Sequence, residues 1–101
     1  DPQALGLGIA AFVAITPQPR KPAQKLVARL IEQPEIEELH AVAGTYSFII
    51  KVRVPSTAAL DAFLDRLFTM EGVERTETTM VLRTNVERPF QLRFDEVPTA
   101  P

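Results

Sequence analysis

The stretch from Ala43 to Val54 reads Ala-Gly-Thr-Tyr-Ser-Phe-Ile-Ile-Lys-Val-Arg-Val. Phe48, Ile50, Val52 and Val54 alternate with Ser47, Ile49, Lys51 and Arg53. A period of two with one fully apolar face is the mark of a strand lying on a core. The run before it, Ile36 to Ala43, is also strand-like. The two together are expected to form a hairpin, with a tight turn at Gly44 and Thr45. Glycine suits that place because it adopts positive φ without a steric cost. This bend is expected to be the centre of the fold and the binding site.

The elements on either side follow from the same kind of periodicity. Leu5 to Ile15 reads as a long strand with Leu7, Ile9, Ala11, Val13 and Ile15 on one face. Gly8, Ala10, Phe12 and Ala14 form the other, so both faces are apolar and both should be covered. After a proline-bearing loop, Pro22 suits the first turn of a helix. Ala23, Leu26, Val27, Leu30 and Ile31 then follow the spacing of a one-sided helix, ended by Pro34. Downstream of the hairpin, Pro55 closes the strand and Ser56 is placed to cap a second helix. Leu60, Phe63, Leu64, Leu67 and Phe68 repeat the first helix's pattern at a constant offset of 37 residues. Gly72 is the expected stop.

Val73 to Val86 reads as the last strand, with Thr76, Thr78, Met80, Leu82 and Thr84 on one face. Phe90, Leu92 and Phe94 suggest a short edge strand before a proline- and alanine-rich tail. The division is therefore a leader at 1–4, one folded domain at 5–88, and an edge piece and tail at 89–101. The order is βαββαβ. This is the ferredoxin-like arrangement of the α+β class, an antiparallel four-stranded sheet with both helices on one face. Its other face, apolar along the first strand, would exceed the exposed patch a monomer tolerates. Two sheets are expected to meet across a symmetric dimer, as a barrel-like sandwich.

Composition removes several classes of function. Net charge is −2 with no basic cluster, which argues against direct binding to nucleic acid. There is no cysteine, hence no disulfide framework and no thiolate chemistry. No apolar run reaches the length of a membrane span, and Leu5 to Ile15 lacks the basic flank of a signal peptide. A cytoplasmic protein without membrane contact is expected. The chain begins at Asp1 instead of methionine, as a processed protein or part of a longer one would.

Three segments resemble the effector domain of Lrp/AsnC transcriptional regulators. Asp1–Gly8, Asp-Pro-Gln-Ala-Leu-Gly-Leu-Gly, is similar to that family's hinge and first strand. Leu39–Phe48, Leu-His-Ala-Val-Ala-Gly-Thr-Tyr-Ser-Phe, is similar to its central hairpin. Gly72–Thr78, Gly-Val-Glu-Arg-Thr-Glu-Thr, resembles its glycine-valine step into a threonine-bearing last strand. The resemblance spans about residues 2 to 88 and implies a domain that senses an amino acid or related small molecule at contacts between dimers. It implies DNA binding only through a helix-turn-helix that this sequence does not contain. It also implies effector contacts at Gly44 and Ser47 of the bend and at Thr76 and Thr78 of the last strand; Thr45 and Tyr46, between the first two, are expected to share the site. Where the family often carries an aspartate, this chain has Ser47. A charge-assisted hydrogen bond contributes about 1.5–3 kcal/mol against roughly 1 kcal/mol for a neutral one, so affinity for an ammonium group should fall.

The residues themselves supply little chemistry. His40 is the only histidine, and its neighbours Glu37 and Glu38 are expected to point to opposite faces of a strand, so no metal site is expected. Gly44 also reads as an ordinary turn glycine, Tyr46 as a packing residue, and Thr76 and Thr78 as β-branched strand residues. Asp61, Asp65 and Arg66 read as a solvated helix face. Glu71, Glu74 and Glu77 form no acid/base pair. No nucleophile stands beside a base and no phosphate-binding loop is present, so neither catalysis nor a cofactor is expected. Three readings remain open: the sensing domain of a regulator, a stand-alone version without a DNA-binding head, and a small dimeric enzyme of the same architecture.

Overall fold

A computed structural model describes residues 8–89. The expected leader, Leu5 to Leu7 of the first strand, and the edge piece at Phe90, Leu92 and Phe94 lie outside them. The elements run β1 (Ile9–Pro17), α1 (Ala23–Ile31), β2 (Ile36–Ala41), β3 (Phe48–Val54), α2 (Thr57–Phe68) and β4 (Val73–Met80). All strand pairs are antiparallel, in the order β2-β3-β1-β4. This is the expected βαββαβ topology.

The register of the central pair decides which side becomes the core. Val13 lies opposite Ile50, Ala11 opposite Val52 and Ile15 opposite Phe48. Residues opposite one another share a face. These side chains are therefore on one side, where Leu26 and Leu30 of α1 and Leu60, Phe63 and Leu67 of α2 cover them. Because the helices close that side alone, everything else the sheet carries projects from the reverse face.

Helix ends follow local chemistry. Ser56 caps α2, its Oγ accepting from the Ala59 amide at 3.1 Å. Pro22 occupies the corresponding place before α1 without a side-chain bond. The 37-residue correspondence between the helices reappears in burial. Leu26 and Phe63 are buried, as are Leu30 and Leu67; Val27 and Leu64 are partly buried. Ile31 and Phe68, expected on the apolar stripes, are instead 67% and 65% exposed. Each is the last residue of its helix, where the stripe has rotated off the sheet.

Two expectations about length are corrected. The hairpin has no two-residue turn: β2 ends at Ala41 and β3 starts at Phe48, so the bend is six residues long. The Val42 amide donates to the Ser47 carbonyl at 2.9 Å and closes it. The last strand stops at Met80, not Val86. The Val81 amide still donates to the Ala10 carbonyl, after which the chain leaves the sheet edge.

Glycine is required at the entry to β1. Gly8 has φ +79°, and a Cβ there would stand 1.9 Å from the Val54 carbonyl oxygen. Gly72, at φ +100°, turns the chain from α2 into β4 and accepts a hydrogen bond from the Gln18 amide. One ion pair ties α2 to the start of β2: Arg66 donates to Glu35 Oε2 at 2.6 Å. Burial pushes the Glu35 pKa up, but the Arg66 hydrogen bond, a backbone hydrogen bond and the Arg66 charge together bring it below the usual 4.5.

Three stability measurements follow from this packing. Phe63→Ala should cost about 3–5 kcal/mol in denaturant unfolding, because it empties the centre of the core. The equivalent change at the helix end, Phe68→Ala, should fall within about 0.5 kcal/mol of zero. Arg66→Met should cost less than about 1 kcal/mol at neutral pH, since the pair is partly solvated. A carboxylate with a lowered folded pKa stabilises above its unfolded value and loses that contribution as pH falls through the folded value. The gap between wild type and Arg66→Met should therefore close as pH drops below 4.5.

Candidate functional site

The reverse face is built from four rows. Ala10, Phe12, Ala14 and Thr16 run down β1, with Ile49, Lys51 and Arg53 beside them on β3. Arg75, Glu77 and Thr79 line β4, and Glu38 and His40 line β2. The face is thus an apolar stripe on β1, with Phe12 40% exposed, between charged flanks. The expectation of a largely apolar reverse side is corrected. The first strand's two apolar faces were legible, but its neighbours bring Lys51, Arg53, Arg75 and Glu77 to the side away from the helices.

A register shift in β2 gathers the acidic residues. Ile36 pairs with Val52 and Glu38 with Lys51, leaving Glu37 as the extra residue. A bulge of this kind breaks strict alternation. Glu37 and Glu38 therefore reach the same cation: Lys51 Nζ lies 3.8 Å from a carboxylate oxygen of each. Arg53 Nε donates to Glu37 at 3.0 Å. His40 Nε2 lies 2.8 Å from Glu38 Oε1, an interaction that, together with the Lys51 charge, holds the Glu38 carboxyl below its ordinary range. Glu37 and Glu38, expected on opposite faces, thus converge on Lys51. The Lys51 ammonium occupies the space between their carboxylates, and among the described residues no group of histidine and acidic side chains is arranged to hold a metal ion.

The bend lies at the other end of the face. Gly44 is exposed, has φ +147°, and has nothing within 4 Å of the position a Cβ would take. Thr45 and Ser47 are exposed as well. The Ser47 amide donates to the Ile15 carbonyl at 3.2 Å, pinning the bend to the end of β1. Tyr46 crosses β1 to reach β4. Its hydroxyl donates to Glu77 Oε2 at 2.6 Å, and the Arg75 guanidinium stands 5.9 Å from its ring centroid. The hydrogen bond to Glu77 is the main cause of a raised Tyr46 pKa, so the phenol stays protonated and remains a donor.

Thr76 and Thr78 are placed differently. They lie opposite Ile15 and Val13 on the helix side of β4, Thr76 half-buried and Thr78 exposed. The sheet separates them from the Tyr46 hydroxyl. Arg75 and Glu77, not named as candidates from the sequence, are the two β4 residues that meet Tyr46 of the bend. The available signal was their alternation with the threonines: if one set faces the helices, the other faces the hairpin's reverse side. Next to Arg75 in the register, Thr16 Oγ1 is buried with no hydrogen-bond partner among the described residues.

Past Met80 the chain turns back over the far end of the reverse face. Val81 and residues 83–87, with Ala10, Phe12, Lys51 and Arg53, border a half-open groove of about 420 Å3. Glu87 closes it with a 3.3 Å bond from Lys51 Nζ. One end of the face is therefore flanked by the returning chain, with Phe12 still 40% exposed, and the bend end is open.

Comparison with known proteins places this arrangement. The FL11 transcriptional regulator of Pyrococcus furiosus, named as an HTH-type protein, is 36% identical over 87 residues, covering 86% of this chain and 57% of its own length. The structure of Escherichia coli AsnC superposes with a TM-score of 0.80 at 28% identity, covering 89% of this chain and 61% of that one. The feast or famine regulatory protein of Mycobacterium tuberculosis, in complex with L-methionine, gives 0.78 at 39% identity, covering 90% and 61%. This chain therefore spans a little over half the length of these relatives. The model of the Lrp/AsnC ligand binding domain matches residues 10–89, from the first strand to the end of the described segment. With that match across the whole sheet and both helices, the chain belongs to the Lrp/AsnC ligand-binding domain family.

Proposed function

We propose that this chain is the effector-binding and oligomerisation domain of a transcriptional regulator, non-enzymatic and cytoplasmic, with the bend as its amino-acid site. The observation that carries the reading is the Tyr46–Glu77–Arg75 cluster beside the open bend. Arg75 and Glu77 are two apart on one face of β4 and offer opposite charges. That suits a zwitterion: guanidinium for the α-carboxylate, carboxylate for the α-ammonium. Glu77 supplies the negative charge that Ser47 does not. Gly44, Thr45 and Ser47 leave room for the side chain, and Thr76 and Thr78 belong to the seam with a neighbouring dimer. The M. tuberculosis relative in complex with L-methionine supports an amino-acid ligand of this kind.

Two copies pair through their reverse faces, with Phe12 at the centre of the contact and charged flanks making it partly polar. Effector bound at a seam between dimers shifts the assembly only as far as it binds one arrangement more tightly than another. In a longer protein carrying a DNA-binding head, that shift would change the spacing of the heads. Among the described residues no helix is long and apolar enough to cross a membrane.

Amino-acid binding is checked by titration of the chain with L-methionine and a panel of other amino acids, followed by thermal shift and calorimetry. Glu77→Gln should weaken the bound amino acid by about tenfold, the loss of a charge-assisted bond. Ser47→Asp should strengthen it. Affinity indifferent to both changes contradicts the site. Pairing is checked by mass in solution: the wild type should be a dimer or larger, and Phe12→Asp should lower the mass. A wild type that is monomeric throughout contradicts the pairing.

A further inference from the structure

Thr16 lies four positions along β1 from Phe12, about 13 Å at the usual strand rise, and so belongs to the bend end of the reverse face. It stands opposite Arg75 on β4, and on its other side the Ser47 amide donates to the carbonyl of its neighbour Ile15. Its Oγ1 is buried, yet no described residue forms a hydrogen bond with it. Buried hydroxyls are nearly always paired, because an unpaired one has lost water and gained nothing. Tyr46 passes over this position. Its hydroxyl reaches Glu77, opposite Ala14, while the guanidinium of Arg75, opposite Thr16, is 5.9 Å from its ring centroid. The ring therefore spans β1 across Ala14 and Thr16. One side chain thus withholds two groups: it holds Glu77 and covers Thr16. Tyr46 itself is only half-buried, belongs to the bend between β2 and β3, and makes its bond to Glu77 at the exposed surface, so that bond is readily exchanged.

We propose that Thr16 is a further contact of the amino-acid site, uncovered when the ligand's α-ammonium takes Glu77 from the Tyr46 hydroxyl. This inference rests on the reading of the bend as an amino-acid site. The Thr16 hydroxyl, beside the Arg75 guanidinium, then donates to the ligand's α-carboxylate. Its place selects that partner, since an ammonium so close to Arg75 would meet a like charge. The two ends of the amino-acid backbone are fixed separately, the ammonium at Glu77 and the carboxylate at Arg75 and Thr16. An α-amino acid is favoured over an amine of the same side chain, because the amine leaves Thr16 unpaired.

The test uses the whole chain, in whatever oligomeric form it takes, with L-methionine as the probe and 3-(methylthio)propylamine, the same molecule without its carboxylate, as the comparison. Thr16→Val keeps the branched shape a strand favours and removes only the hydroxyl. It should weaken L-methionine by about tenfold and leave the amine unchanged. The ligand-free variant should melt no lower than wild type, because the hydroxyl has no partner to lose. Thr16→Ser should restore most of the affinity. Tyr46→Phe should tighten L-methionine several-fold, since Glu77 is then free of its internal partner. The chain has one tyrosine and no tryptophan, so its intrinsic emission reports on Tyr46 alone. A carboxylate bonded to an excited phenol quenches it, and L-methionine should therefore brighten the wild type. Thr16→Val binding L-methionine as tightly as wild type, an equal loss for the amine, a lower melting temperature without ligand, or emission unmoved at saturation would each overturn this inference while leaving the amino-acid site standing. No binding of L-methionine to the wild type at millimolar concentration would overturn both.

Discussion

The pairing of β1 with β3 is the constraint on which the rest depends. Seven consecutive residue pairs, from Ile9 with Val54 to Ile15 with Phe48, run without a slip. A shift of one residue would turn Ala11, Val13 and Ile15 away from the helices and bring Ala10, Phe12 and Ala14 in. Val13, Ile50 and Val52 are fully buried because that register lets both helices share one surface. The same register dictates that Lys51, Arg53 and Phe12 face the other way. The core and the functional surface are therefore two sides of one decision.

Charge on the reverse face is distributed by strand. β1 is apolar there except for Thr16, and the charged groups come from β3, β4 and the bulged β2. At one end the charges close on each other through Lys51, the three carboxylates around it and the returning chain. At the other they are held apart by Tyr46, whose ring stands beside Arg75 while its hydroxyl satisfies Glu77. Surface ion pairs of this exposure add little to stability. They set the character of each end: Arg75 and Glu77 flank Tyr46 at one, and Lys51 is ringed by three carboxylates at the other.

Most of the architecture was legible in the sequence because it depends on apolar periodicity. The 37-residue echo between the helices anticipated equivalent burial at Leu26 and Phe63 and at Leu30 and Leu67; Ile31 and Phe68, expected on the same stripes, are instead both exposed. What failed to show were departures from ideal periods. Glu37 and Glu38 were assigned to opposite faces because a bulge leaves no mark in an alternating pattern. Val81 to Val86 alternates well enough to read as strand, yet β4 ends with Met80 opposite Ala11, and past the Val81 amide's bond to Ala10 the chain leaves β1 unpaired. For the candidate site, the sequence named Tyr46 and the bend, and the resemblance to Lrp/AsnC domains named Thr76 and Thr78; Arg75 and Glu77, which stand beside Tyr46, were not named. Which side of β4 meets the bend is a matter of register across β1, and that requires the sheet.

Backbone amide hydrogen exchange, compared with and without saturating L-methionine, bears most directly on the claim that the bend and the reverse side of β4 form one binding surface. Slowed exchange across Val42–Ser47 together with Arg75–Glu77 is the expected result. Protection confined to the helices, or no change at the bend while binding is shown by other means, would contradict it.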